Sequence, residues 1–163
     1  MNVHELFAEV ATAPVVKRAI TNHVALNEAY DYGSAFSRGM RIDLNGLTIL
    51  LISGTASIDD AGRTVHDGDL RAQVRRTFDN ITKLLASEGA DWHDIVRTTC
   101  YLRDIERDYQ AFNEERSTFY KQQALDPLPA STGIQAILCR PDLLVEIEAI
   151  AMFRRESQID SER

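Results

Sequence analysis

Hydrophobic and polar positions along this chain follow two periods, and the switches between them outline the elements. Between positions 145 and 152 the period is two. Val145, Ile147, Ala149 and Ala151 fall on one side, and Glu146, Glu148, Ile150 and Met152 on the other, because successive strand residues point to opposite faces of a sheet. A second strand-like run covers 130–136 and is joined to 144–153 by a short loop with Pro141 and Asp142. Upstream, Met40-Arg41-Ile42-Asp43-Leu44 alternates and 47–53 is continuously apolar. The Asn45-Gly46 pair between them predicts a hairpin, since both turn residues must tolerate positive φ. Asp59-Asp60-Ala61-Gly62 predicts another turn, and β-branched residues over 94–102 predict a further strand.

Helical spacing marks the rest. Leu70, Val74, Phe78, Ile81, Leu84 and Leu85 make the inward stripe of a helix that starts at an Asp69 cap, runs to Glu88 and stops at Gly89. A second helix is predicted over 108–122, burying Tyr109, Phe112, Phe119 and Tyr120. Val3, Leu6, Phe7 and Val10 predict an amphipathic helix over 1–13, ended by Pro14. Residues 15–34 have no clear period and join it as an N-terminal extension over 1–35. A domain over 36–153 and a polar, loose tail over 154–163 follow.

The order β-β-α-β-α-β-β implies an α+β architecture, one mixed sheet with two helices on one face. The opposite face carries Ile150 and Met152, and 47–52 is apolar on both sides. That face needs cover, and another copy of the chain is the simplest one.

Composition narrows the function classes. The 163 residues are enough for one domain with a real core. Net charge is -7 and Lys and Arg form no track, so a nucleic-acid partner is not expected. Arg75-Arg76 reads as a solvated helix-surface pair. Cys100 and Cys139 each sit in an apolar run outside any paired motif, as reduced core cysteines of an intracellular protein would. No basic start with a long apolar run marks a signal peptide, and no apolar stretch is long enough to span a membrane. The expectation is therefore a soluble, cytoplasmic domain. His4, His23, His66 and His93 show no metal-ligand spacing, and no metal is expected.

Candidate chemistry centres on Glu146 and Glu148. A carboxylate within so apolar a strand loses hydration and needs a partner, which moves its pKa. Glu146 is either functional or a structural carboxylate satisfied by an amide or an Arg, and Glu148 is read as structural or interfacial. Arg97 and Tyr101 share a strand face, at a subunit contact or in a pocket.

Several pieces then resemble the RidA family, also called the YjgF family, over roughly 36–153. They are Ser53-Gly54-Thr55, Ser87-Glu88-Gly89-Ala90, Asp94-Ile95-Val96-Arg97-Thr98-Thr99, Tyr109-Gln110-Ala111-Phe112-Asn113-Glu114, Pro129-Ala130 and Val145-Glu146-Ile147-Glu148-Ala149-Ile150. The resemblance implies a chorismate-mutase-like homotrimer with ligand sites in the clefts between subunits. It also implies hydrolysis of small imines or enamines without metal or organic cofactor. Its water-positioning Glu falls on Glu146 and its pocket aromatic on Phe36, which lacks a hydroxyl and equally suits a core. Its carboxylate-gripping Arg falls on Ser131, and a frequent Cys falls on Gly133. Serine donates one hydrogen bond and neutralises nothing. Arg140, Arg38, Arg97 and Arg103 are the candidate substitutes. Ser131 and Thr132 are expected to line the pocket, with backbone near Gly54, Thr55 and Thr132 binding the substrate's polar end. Gly54 permits close approach in the cleft or a bulge at the strand end. Ala130-Ser131-Thr132-Gly133-Ile134 also resembles a stretch of the larger chorismatases, which hydrolyse an enol ether. Three functions follow as expectations: a cofactor-independent hydrolase or deaminase with Glu146 positioning water, a non-catalytic metabolite-binding trimer, and a chorismatase-like hydrolase. An endoribonuclease label is often attached to this family, and the acidic charge argues against that activity here.

Overall fold

The computed structural model describes residues 14–21 and 35–154; the helix expected over 1–13 and the tail beyond Arg154 lie outside them. Among the described residues six strands and two long helices follow in the order β1 (Val16–Ala19), β2 (Gly39–Leu44), β3 (Leu47–Ala56), α1 (Leu70–Ser87), β4 (Ile95–Leu102), α2 (Ile105–Gln122), β5 (Ala130–Gln135) and β6 (Val145–Arg154). A 3-10 turn, Trp92–Asp94, leads into β4. The sheet runs β1-β2-β3-β6-β4-β5. β4 and β5 are parallel, and β6 is antiparallel to both β3 and β4.

This topology explains why both helices share a face. The crossovers β3-α1-β4 and β4-α2-β5 advance across the sheet in the same direction. Crossovers between parallel strands are right-handed, so both helices pack on one side. β6 then returns between β3 and β4, and its alternation decides which side is which. Val145, Ile147, Ala149 and Ala151 are buried against the helices. On the open face of this single chain, Leu51 and Met152 remain 41% and 40% exposed.

Local signals were followed closely. Asn45 and Gly46 take φ of 49° and 74° in the hairpin. Asp69 accepts from the Ala72 amide at 3.0 Å, and Gly89 ends α1 at φ 69°. All six residues of the α1 stripe are buried. α2 starts three residues earlier than the pattern predicts because Asp104 caps it, accepting from the Arg107 amide at 3.1 Å.

Three expectations are corrected. Val16–Ala19, assigned to the extension, is a strand of the sheet. It pairs with β2 and is followed by Ile20, which is fully buried and donates its amide to Gly39. Tyr109, expected in the core, is 47% exposed, because α2 directs Phe112 and Tyr120 inward instead. Cys139 is exposed: its apolar run 136–139 is loop rather than strand.

The core beneath the helices is aromatic. Phe78 stacks on Phe119 at 4.6 Å and meets Trp92 edge-on at 5.5 Å. At the far end of α1 the buried Glu88 accepts from Arg18 at 3.0 Å and from Arg41 at 3.2 Å. Arg41 also grips Asp43 and holds its carboxyl below the usual range. This ionic cluster ties the first two strands to the helix layer.

Candidate active site at Glu146

β6 opens on the residue that matters. Glu146 pairs across β3 with Ala56 and across β4 with Tyr101, next to an irregularity between Ile52 and Thr55 where the β3–β6 register shifts. Gly54 lies in that irregularity, and a side chain there has no room. A Cβ would overlap Oε1 of Glu146 and stand 2.8 Å from its Cδ. Close approach and bulge, posed as alternatives for Gly54, are therefore one feature. The bulge turns a glycine toward the carboxylate, and the missing side chain is the space that Glu146 occupies.

A cavity of about 490 Å³ opens over this carboxylate, lined by Phe36, Arg38, Gly54, Ile58, Cys139, Arg140 and Glu146 among others. Its walls are pinned by side chains reaching from the helices. Asn80, fully buried on α1, donates to the carbonyls of Ala56 and Ile58 at 2.9 and 3.1 Å. Gln73 donates to Asp142 and accepts from Leu144, both at 2.8 Å, fixing the loop before β6. Arg103 donates to the carbonyls of Leu143 and Arg140. Ser53 holds the other rim, its hydroxyl donating to Ser37 and its amide to Arg38.

Glu146 is half-buried, and its one hydrogen-bond partner among the described residues is the Cys139 thiol, at a long 3.9 Å. Burial raises its pKa, and the neighbouring Glu148 charge adds to the rise. Although its surface is exposed, partial desolvation within the cavity wall and then the charge of Glu146 push the Cys139 thiol up, so it is a poor nucleophile. Glu148 accepts from the Tyr101 hydroxyl at 3.0 Å on the open face. A carboxylate with few partners and a raised pKa is suited to accept and return a proton.

The sequence-derived candidates separate into two places. Phe36, Gly54, Arg140 and Glu146 share the cavity. Phe36 is exposed and lies 5.6 Å from the Arg38 guanidinium, so it is no core residue. Thr55 is buried beside the bulge and donates to the Ser53 carbonyl. Ser131, Thr132 and Gly133 are elsewhere in this chain. Ser131 pairs with Thr98, which pairs with Ala149; two strand spacings and three residues of rise put Ser131 roughly 14 Å from Glu146. Of the four candidate substitutes for the missing Arg, Arg38 and Arg140 line the Glu146 cavity. Arg97 donates to Thr132 at 3.1 Å on the open face, and Arg103 is a loop staple. The cation that does reach Ser131 is Arg116 from α2, at 3.0 Å, which the sequence reading passed over. Its helical neighbours three and four residues away are Phe112, Asn113, Phe119 and Tyr120. An Arg with no acid on its own helix face was the available signal.

Among the described residues no three His, Cys, Asp or Glu side chains are grouped as metal ligands would be, and no helix is long and apolar enough to cross a membrane.

Gly54→Ala should leave the fold intact, because the displaced atoms belong to the tip of a flexible side chain. It should also drive the carboxylate out of its recess. NMR titration of the glutamate carboxyl groups is expected to find the Glu146 pKa fallen toward 4.5, its ordinary value. An unmoved pKa would mean that Glu146 does not occupy the Gly54 recess.

Comparison with known proteins places this geometry. The family described as Endoribonuclease L-PSP matches residues 28–153. A RutC family protein of Haemophilus influenzae is 32% identical over 111 residues, covering 68% of this chain and 82% of that protein. The 3-aminoacrylate deaminase RutC of Acinetobacter baylyi is 31% identical over 103 residues, covering 63% of this chain and 78% of that one. Among solved structures, the Rid family protein YyfA of Yersinia pestis aligns with a TM-score of 0.69 at 28% identity, over 83% of this chain and 98% of that one. The YjgF gene product of E. coli aligns at 0.68 and 25%, over 84% and 99%. The chain belongs to the Endoribonuclease L-PSP family, the RidA or YjgF family.

Proposed function

We propose that this protein is a cofactor-independent hydrolase of the deaminase type, acting on a small imine or enamine. The observation that carries this reading is the Glu146 carboxylate, desolvated and short of partners, facing a cavity through the space that Gly54 leaves open. The deaminase name of the Acinetobacter baylyi relative supports the reaction class. In the proposed step Glu146 takes a proton from water as the water oxygen bonds to the imine carbon. It returns that proton to the nitrogen to give a carbinolamine, then takes the hydroxyl proton and passes it to the same nitrogen as the carbon–nitrogen bond breaks, so imine and water give a carbonyl compound and ammonia. Homotrimerisation belongs to the same proposal. The separation of Ser131 from Glu146 and the apolar open face both favour a site completed by β5 of a neighbouring copy.

Imino acids generated in situ by an amino-acid oxidase and trapped with semicarbazide provide the test. The protein is expected to accelerate their decay. Glu146 must be ionised to accept the proton, so the rate should rise with pH along a limb above the usual carboxyl range. No acceleration with acidic, basic or apolar imino acids would overturn the proposal. A melting temperature raised by a metabolite that is not consumed would then favour a binding trimer, the reading that Ser131 in place of the usual Arg supports. Consumption of an enol ether would favour the chorismatase-like one. A ribonuclease role finds no support in a chain of net charge -7 without a basic track.

A further inference from the structure

A second cavity of about 490 Å³ lies between the C-terminal half of α2, the loop that follows it and the start of β5. Arg116, Tyr120, Lys121, Leu125, Leu128 and Ser131 line it, and no acidic residue does. Its charge pattern departs from the rest of the helix layer. Arg71, Arg75, Arg76 and Arg107 are each paired with a carboxylate. Arg116 and Lys121 have no carboxylate partner among the described residues, although the chain has 25 acidic residues to 18 basic ones.

Arg116 is also held in place. Its guanidinium lies 5.2 Å from the ring centre of the fully buried Phe112. One nitrogen donates to Asn113 Oδ1 at 2.6 Å and the other to Ser131 Oγ at 3.0 Å. A guanidinium has five N–H donors; these two bonds leave three, on a side chain already ordered. Ser131 Oγ accepts a second bond, from Thr98 Oγ1 at 3.0 Å. Cys100 Sγ lies 3.9 Å from the same oxygen, a long contact in which either atom can donate, so the serine's proton can turn to a bound ligand. A fixed cation with spare donors, a hydroxyl beside it and a second cation at the rim suit a carboxylate. The remaining wall, Tyr120, Leu125 and Leu128, suits an apolar body attached to it.

We infer that this cavity binds a small organic acid, its carboxylate gripped by Arg116 of α2 with Ser131 donating to it and its apolar body against Tyr120, Leu125 and Leu128. The cation that β5 lacks at Ser131 is thus delivered from the helix. If the Glu146 proposal holds, this is where the acid end of the substrate is recognised, and that link rests on that proposal. Binding itself does not.

Titration calorimetry with hexanoate, hexanamide and inorganic phosphate tests the inference. Hexanoate should bind once per chain, and its neutral amide and phosphate at least about tenfold more weakly, since hydrogen bonds to a charged group are the strong ones. Arg116→Gln should weaken hexanoate by about tenfold or more, and Ser131→Ala, a milder change, by a smaller factor. Far-UV circular dichroism verifies that both variants fold. Hexanoate has no carbon–nitrogen bond to hydrolyse, so its binding is read apart from turnover: binding without imine hydrolysis would sink the hydrolase proposal and leave this inference standing. Equal binding of acid and amide, undiminished binding by a folded Arg116→Gln, or no binding at all would overturn it.

Discussion

Glu146→Gln is expected to lower the imine-hydrolysis rate by about 100-fold or more, the span general base catalysis covers, while leaving the melting temperature at neutral pH unchanged or higher. Glutamine keeps the shape of the side chain and fits the same Gly54 recess, yet it cannot take a proton from water. The stability half follows from the pKa. Burial, and then Glu148, raise the Glu146 pKa in the folded state above its ordinary 4.5. Between those two values the folded protein binds more protons than the unfolded chain, so stability falls as pH rises through that window. Above the folded-state pKa the whole cost of a desolvated charge is present. Glutamine removes it, so any gain appears at neutral pH and vanishes below the ordinary carboxyl pKa. Thermal melts of both proteins at pH 7 and near pH 4, beside the trapping assay, measure the two halves separately. A fall of many degrees at pH 7 would make Glu146 a structural residue.

The largest loss of stability is expected from Phe78→Ala, about 3–5 kcal/mol, the range for deleting a buried aromatic ring. Phe78 is almost fully buried in α1 at the centre of the aromatic cluster. It stacks on Phe119, meets Trp92 edge-on and leans on Tyr120 at 6.1 Å. Such pairs each contribute about 0.5–1.5 kcal/mol beyond the area they bury, and the aromatics it touches come from the 3-10 turn and α2. The void cannot close by moving one neighbour without parting the others. Against a domain stability of about 5–15 kcal/mol, the variant stands close to unfolding. Urea denaturation at fixed protein concentration reads this directly. A loss below about 1 kcal/mol, within the range of an ordinary substitution, would mean that the helices are held by something other than this cluster.

Most of the fold was legible because its signals are local. Asp69 and Gly89 bound α1, Asn45-Gly46 makes the hairpin, and the period-two run of β6 identifies both the buried side and the strand with Glu146. β1 escaped notice because it is a four-residue edge strand with three exposed positions; its pairing with β2 leaves no periodic trace. Cys139 was misplaced because an apolar run such as Ala136-Ile137-Leu138-Cys139 has the composition of a strand, while only the chain path decides that it is loop. The site was half legible. Glu146, Gly54 and Phe36 were named together through the resemblance, and the structure brings them to one cavity. Arg116 was not named, because its approach to Ser131 depends on how the loop after α2 turns back. The sequence separation of fifteen residues says nothing about that path.

The two outer edges of the sheet differ in chemistry. β1 carries Lys17 and Arg18 in a strand of four residues, whereas β5 is Ala-Ser-Thr-Gly-Ile-Gln, uncharged and exposed throughout. A short charged edge deters a foreign strand, and a neutral one admits it. A second molecule can add at β5, but it finds no equally receptive margin at β1. Strand-by-strand growth into an endless ribbon is therefore checked at one end. A fibre built by adding edge to edge would stop at the first β1 margin it met.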